Sequence, residues 1–361
     1  MKINDLNLKE KIGQMLIIGL DFENPMEKID DIILNVKPGG ILLYKKNYKT
    51  YEEMIEFINY IKTLNSKVNK IPLFIAIDQE GGRVNRMPPE FKNIPSPYRL
   101  TRNQDESIVK EAASITGDML YNSGVNMDLA PVLDVKRGAD NSAIGDRAFS
   151  SKVENVVQYG IAYMKELQNK KVIPVVKHFP GHGLTNVDSH FFPPIIDEPM
   201  EKIEKEMLPF KEAINTNADA ILIGHLYVKG MTEGIPATMS KAVVNYIREK
   251  LGFNGVIVSD DMRMKSVKIL YGKNRAVKRA ILAGNDIVIA KYIKNDRLEE
   301  IIEDMVKKNY LSEGQIDEHV SRILSLKSKY GISDTEVLEL IDLEKYNKKI
   351  QRIINTCAQL D

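Results

Sequence analysis

Eight short runs of apolar, largely β-branched residues punctuate the chain: Met15–Gly19, Gly40–Tyr44, Leu73–Asp78, Met127–Val132, Ile173–His178, Ala220–Gly224, Val256–Asp260 and Asp286–Ala290. Most are apolar almost throughout rather than alternating, as parallel strands buried on both faces must be. Between them, apolar residues recur at helical spacing over Tyr51–Leu64, Ser107–Asn122, Ser151–Asn169, Met200–Asn215, Lys241–Leu251 and Asn274–Ala283. Strands that each lead into a helix or a long loop build an α/β fold. Eight such repeats favour closure into a (β/α)8 TIM-type barrel over the rival, a doubly wound open sheet.

The 361 residues suit one large barrel, which needs ~250 or more. No linker rich in Pro, Gly or Ser divides the chain. The expected organisation is therefore a catalytic barrel domain over residues 1–330 and a C-terminal helical tail over 331–361, packed on the outside. With 51 basic and 50 acidic residues the net charge is +1, so neither nucleic acid nor an anionic membrane is an expected partner. Cys357 is the only cysteine, which rules out an internal disulfide and fits a reducing compartment. The N-terminal "MKINDLNLKEKIGQML" lacks the apolar core of a signal peptide, and no apolar run approaches the ~18 residues of a membrane span. A cytoplasmic monomer is expected. A secreted or lipid-anchored protein whose signal has been removed is the alternative.

Barrel chemistry sits at the C-terminal ends of strands, and three runs end in polar residues. "LFIAID" ends in Asp78, "IPVVKH" in Lys177 and His178, and "GVIVSD" in Asp260. An aspartate at the position of Asp260 can attack an electrophilic carbon and form an ester-like intermediate, or it can cap the following helix. Strand alternation would turn Asp260 and its neighbour Asp261 in opposite directions, so that one of them faces the pocket. "DQEGGRVNR" adds Arg86 to Asp78, and "IGDRAF" supplies Arg147. A carboxylate can accept from sugar hydroxyls, and a guanidinium can bind a hydroxyl, carbonyl or carboxylate.

The stretch "KHFPGHGLTNVDSH" holds three of the five histidines. His178 and His182 are four apart, as in a zinc-binding H-E-x-x-H helix, but Pro180, Gly181 and Gly183 break any helix. Nor does the glycine spacing match a phosphate-binding loop. Asp188 and His190 read better as a dyad: the carboxylate accepts one imidazole N–H, and the ring moves protons near neutral pH. An N-cap aspartate beside a surface histidine is the plainer alternative. The glycines would let the loop swing over a pocket.

Taken together, "AIDQEGGRVNR", "DLAPVLDV", "IGDRAF", "VVKHFPGHGLTNVDSH", "PATMS" and "LGFNGVIVSDDMRM" resemble glycoside hydrolase family 3, and most closely its NagZ-type β-N-acetylglucosaminidase branch. They span roughly Gly13 to Ala290 in the family's order. The resemblance implies a TIM-type barrel and a retaining exo-β-N-acetylglucosaminidase. Asp260 would be the nucleophile, and His190 the acid/base oriented by Asp188. Asp78, Arg86, Arg147, Lys177 and His178 would bind substrate. It implies no metal or cofactor. The absence of the second α/β domain of β-glucosidases agrees with peptidoglycan recycling on N-acetylglucosaminyl-anhydromuramyl peptides. Phosphorolysis in place of hydrolysis, or a broader β-glycosidase specificity, is the alternative within the family. A metal-dependent barrel hydrolase or a non-catalytic glycan-binding barrel is the alternative outside it. Leu184, where many relatives are polar, and "KRGADNSA" depart from the family pattern without touching the catalytic pair.

Overall fold

The structure, a computed structural model, describes residues 3–138, 143–185, 193–293 and 298–359. Eight parallel strands form one sheet: β1 (Leu16–Gly19), β2 (Gly40–Leu42), β3 (Phe74–Ile77), β4 (Met127–Asp128), β5 (Ile173–Phe179), β6 (Ala220–Ile223), β7 (Val256–Ser259) and β8 (Val288–Lys291). Each pairs with its neighbours in sequence, and β8 returns to β1 in the register Leu16↔Val288 to Gly19↔Lys291. A parallel bridge between Val258 and Ile287 joins β7 to the start of β8 and closes the ring. The expected (β/α)8 barrel is the observed fold.

All eight strands lie where the apolar runs are. β4 is the shortest of them and departs most from its run, Met127–Val132. Pro131 has no N–H to give the ladder, so regular pairing stops at Asp128 and resumes only as a single bridge from Val132 to Lys177. That interruption lets the backbone re-enter beside β5, where the Leu133 N–H donates to the Lys177 carbonyl at 2.7 Å. Helices Tyr51–Val68, Glu106–Asn122, Val153–Asn169 and Met200–Asn215 cover the sheet with stripes such as Met54, Ile58 and Ile61. The segment Lys241–Leu251 winds as an α-helix to Asn245 and then as a wider turn over Tyr246–Lys250. Beyond Gly331 the chain is irregular until helix Leu343–Ala358, which packs on helix Glu106–Asn122. Among the described residues, no helix is long and apolar enough to cross a membrane.

The end of the barrel where the strands begin is plugged by Lys327, from helix Glu313–Lys329. Its buried ammonium donates to the Gln14 side chain at 2.7 Å, the Gly39 carbonyl at 2.8 Å and the Pro72 carbonyl at 2.7 Å, and lies 4.5 Å from the Phe74 ring centre. Substituting Lys327→Met strips three acceptors, two of them in buried hydrogen bonds, of their donor, and urea unfolding should report a loss of about 1–3 kcal/mol. An unchanged midpoint would refute that role.

Candidate active site

The strand ends opposite Lys327 surround a cavity of about 360 Å³. Asp78, Arg86, Arg147, Lys177, His178 and Asp260 all line it, so six of the eight residues read from the sequence converge there. Asp188 and His190 lie outside the described residues.

Asp78 follows β3 directly, and the chain then turns sharply through Glu80–Val84, where the Glu80 N–H donates to the Val84 carbonyl at 3.0 Å. Gly81 and Gly82 have φ of +85° and +56°, and a Cβ on Gly82 would sit 2.5 Å from that of Ser96. Only glycine takes this backbone without strain. The turn points Glu80 back into the barrel, where its side chain is 1% exposed. Arg147, in the short turn Gly145–Arg147, grips Glu80 with two bonds of 2.7 Å. The Lys177 ammonium lies 2.6 Å from Glu80 Oε1 and 2.7 Å from Asp78 Oδ1. Burial pushes the Glu80 carboxyl up, but the Arg147 and Lys177 charges outweigh it and hold Glu80 well below the usual carboxylate range. Burial likewise pulls Lys177 down, and Asp78 and Glu80 more than restore its charge.

The chain of contacts continues. Arg147 Nη2 stands 3.4 Å from His178 Nε2, and His178 Nδ1 lies 2.7 Å from Asp134 Oδ2. Asp134 is wholly buried and also accepts the His182 N–H at 2.7 Å. His182 itself pairs through Nδ1 with Thr185 at 2.8 Å, and burial lowers its pKa to about 4. Its ring and backbone thus tie the loop together rather than pairing with His178 on a helix. Of the loop glycines, Gly183 is required by close approach: a Cβ there would lie 2.2 Å from the Val135 carbonyl. Leu184 packs against the apolar cluster that includes Phe179 and Phe210, which accounts for an apolar residue at that position.

Across the cavity, Asp260 follows β7, its N–H bonded to the Ile223 carbonyl at 3.0 Å. One carboxylate oxygen accepts the Asp261 N–H at 2.8 Å. Asp260 does not cap the next helix: the N-cap of Lys265–Tyr271 is Met264, and it makes no side-chain cap bond. The expectation that only one of the two aspartates faces the pocket is overturned, since both line it. Strand alternation ends at Ser259, and beyond it the turn directs Asp261 inward, where it accepts the backbone N–H groups of Arg263 at 2.9 Å and Lys291 at 3.3 Å. Burial raises the Asp261 pKa against the opposing charge of Lys291. Arg86 enters from the β3 loop, and its Nε is buried without a hydrogen-bond partner among the described residues.

Glu80, Asp134, Tyr44 and Lys291 also border the site or support it, and were not singled out from the sequence. Tyr44 ends the second strand run and Lys291 directly follows the eighth, so a search of the strand ends and the residue after them could have found both. Glu80 and Asp134 carry no such local mark, because each is defined by a cation or imidazole from a distant strand.

Residues 7–326 match the glycosyl hydrolase family 3 N terminal domain. The β-hexosaminidase LpqI of Mycobacterium tuberculosis is 30% identical over 338 residues, covering 89% of this chain and 83% of that protein. A β-hexosaminidase of Tolumonas auensis is 34% identical over 265 residues, 72% of this chain and 77% of the relative. A solved glycoside hydrolase family 3 β-N-acetylglucosaminidase from Paenibacillus superposes with a TM-score of 0.91 at 29% identity, covering 96% of this chain and 68% of that one. The chain belongs to glycosyl hydrolase family 3.

Glu80→Gln leaves Arg147 and Lys177 poorly compensated and should cost about 3 kcal/mol at neutral pH. The folded pKa of Glu80 lies below its ordinary 4.5, so its contribution is present above that pH and is lost as acid titrates the folded carboxylate. The difference in unfolding free energy between Glu80→Gln and wild type should therefore shrink as the pH falls below 4.5. A difference that stays constant or widens would contradict the assignment.

Proposed function

We propose that this chain is a retaining exo-β-N-acetylglucosaminidase that removes terminal, non-reducing β-1,4-linked N-acetylglucosamine from peptidoglycan fragments during cell-wall recycling. The observation that carries the reading is the cavity itself. A carboxylate at the end of β7, Asp260, faces a wall of sugar-competent groups comprising Asp78, Lys177, Arg147 and His178. Similarity to proteins named β-hexosaminidases supports the choice of sugar.

In this mechanism Asp260 attacks the anomeric carbon while the leaving oxygen takes a proton from His190, which Asp188 orients. Water deprotonated by the same histidine then releases the sugar, with net retention. The Asp261 N–H holds one Asp260 oxygen at 2.8 Å, which limits rotation of the nucleophile and favours a single attack geometry. Asp78, Lys177, Arg147 and His178 hold hydroxyl groups, and the Arg86 guanidinium offers a donor to a carbonyl or hydroxyl of the substrate.

Purified protein should release p-nitrophenol from the β-N-acetylglucosaminide without added metal, and should free N-acetylglucosamine from defined muropeptides. N-acetylglucosamine 1-phosphate formed in phosphate buffer would identify a phosphorylase instead. Asp260→Asn should lower turnover on the order of a thousandfold, and a near-normal rate would refute the nucleophile. His190→Ala should slow poor leaving groups by ~10²–10⁴ and good ones far less, since good ones need little protonation. Equal slowing of both would refute the acid.

A further inference from the structure

The described part of the site contains an aspartate–histidine pair of its own, Asp134–His178, separate from the sequence pair Asp188 and His190. We propose that Asp134 is a positioning residue that fixes the tautomer of His178, so that Nε2 presents a lone pair to a sugar hydroxyl, and that seats the start of the loop leading to His190 on the same carboxylate. This rests on the reading of His178 as a sugar contact.

The geometry supports it from both sides of the imidazole. A buried carboxylate only accepts, so a 2.7 Å contact from Asp134 Oδ2 to Nδ1 puts the ring proton on Nδ1. At the other nitrogen, Arg147 Nη2 only donates, and its 3.4 Å approach matches a bare Nε2. The Arg147 guanidinium is in turn held by Glu80 through two bonds of 2.7 Å, so the donor facing Nε2 is itself fixed in place. Within the cavity, His178 is then an acceptor beside two donors, Lys177 and Arg147. A sugar hydroxyl that replaces this long contact can give its proton to the one lone pair of Nε2 and receive one from Arg147 or Lys177.

The other oxygen of Asp134 serves the loop. Oδ1 accepts the His182 N–H at 2.7 Å, and the Gly181 N–H donates to the His178 carbonyl at 2.8 Å. The turn from His178 to His182 is thus wrapped around one carboxylate, and Gly183 rests on the adjacent Val135 carbonyl. A change in the hold on His178 is transmitted to the first residues of the loop through a single rigid group.

Asparagine at position 134 cannot do both jobs. Its one oxygen can accept from the His182 N–H or from His178 Nδ1–H, and its amide can donate to a bare Nδ1 but not to a backbone N–H, so the oxygen is kept for His182. Keeping the loop bond forces Nδ1 to become an acceptor, moves the ring proton to Nε2 and aims a donor at Arg147 and the sugar.

The test uses full-length protein labelled with ¹⁵N-histidine. Long-range ¹H–¹⁵N spectra distinguish a bare ring nitrogen from a protonated one, and His178→Gln identifies the His178 signals among the five histidines. Wild type should show Nδ1 protonated and Nε2 bare, and Asp134→Asn should reverse the pattern. A bare Nδ1 in wild type, or an unchanged pattern in Asp134→Asn, would overturn the proposal. In kinetics, Asp134→Asn should raise KM for the aryl glycoside about tenfold, the worth of one good hydrogen bond. Added to His178→Ala it should cost less than about twofold more, because coupled residues are not additive. Full multiplicative loss in the double variant would show that Asp134 acts independently of His178. If wild type fails to cleave the β-N-acetylglucosaminide, the proposed activity falls, while the nitrogen spectra still decide the role of Asp134.

Discussion

Two cations, Lys177 and Arg147, are drawn out of solvent at the top of this barrel, and neither could remain charged there alone. Removing an ion from water costs several kcal/mol unless a counter-charge and hydrogen bonds replace the solvent. Glu80 provides that compensation for both Lys177 and Arg147. The contacts run on without a break from Asp78 through Lys177, Glu80, Arg147 and His178 to Asp134. Each member is held in place by its neighbours. These cavity-lining groups therefore form one preorganised unit, the arrangement that lets polar groups act on a substrate without first being reorganised.

The opposite wall is held by other means. Asp260 is positioned by a backbone N–H, and that backbone belongs to Asp261, whose carboxylate is tied to β8 through the Lys291 N–H. The Asp261 carbonyl lies 3.0 Å from His225 Nε2. Lys291 also pairs with Asp21 at 2.8 Å, which joins the end of β8 to the loop after β1. Asp260 and the wall formed by Asp78, Lys177, Arg147 and His178 thus stand on separate strands, which closure of the barrel brings to one cavity.

The far end of the barrel carries charge for stability. Asp286 takes bonds from His319 at 2.8 Å, Arg322 at 2.9 Å and the Ile257 N–H at 2.7 Å, and Lys327 occupies the centre. These groups lie far from the cavity and bind helix Glu313–Lys329 to the sheet. Such a division between a reactive face and a stabilising face is general in barrels of this kind.

Much of this was legible in the chain itself. The eight strands, their burial on both faces and the helices that cover them follow from periodicity and β-branching, which are local properties. The polar residues at the strand ends could be chosen as site candidates because a parallel barrel brings all those ends to one rim. What local pattern could not supply were the partners. Lys177 meets Asp78 across 99 residues, Arg147 meets Glu80 across 67 and His178 meets Asp134 across 44. Those pairings depend on strand register, on the break that Pro131 makes in β4 and on the turn at Gly81 and Gly82. The same dependence explains why Asp261 was misjudged: alternation holds only while the strand lasts, and the strand stops at Ser259. The sequence by itself determined the barrel and which side chains reach its rim. Only the tertiary structure decided which buried charge answers which, because a counter-charge is defined by distance in space.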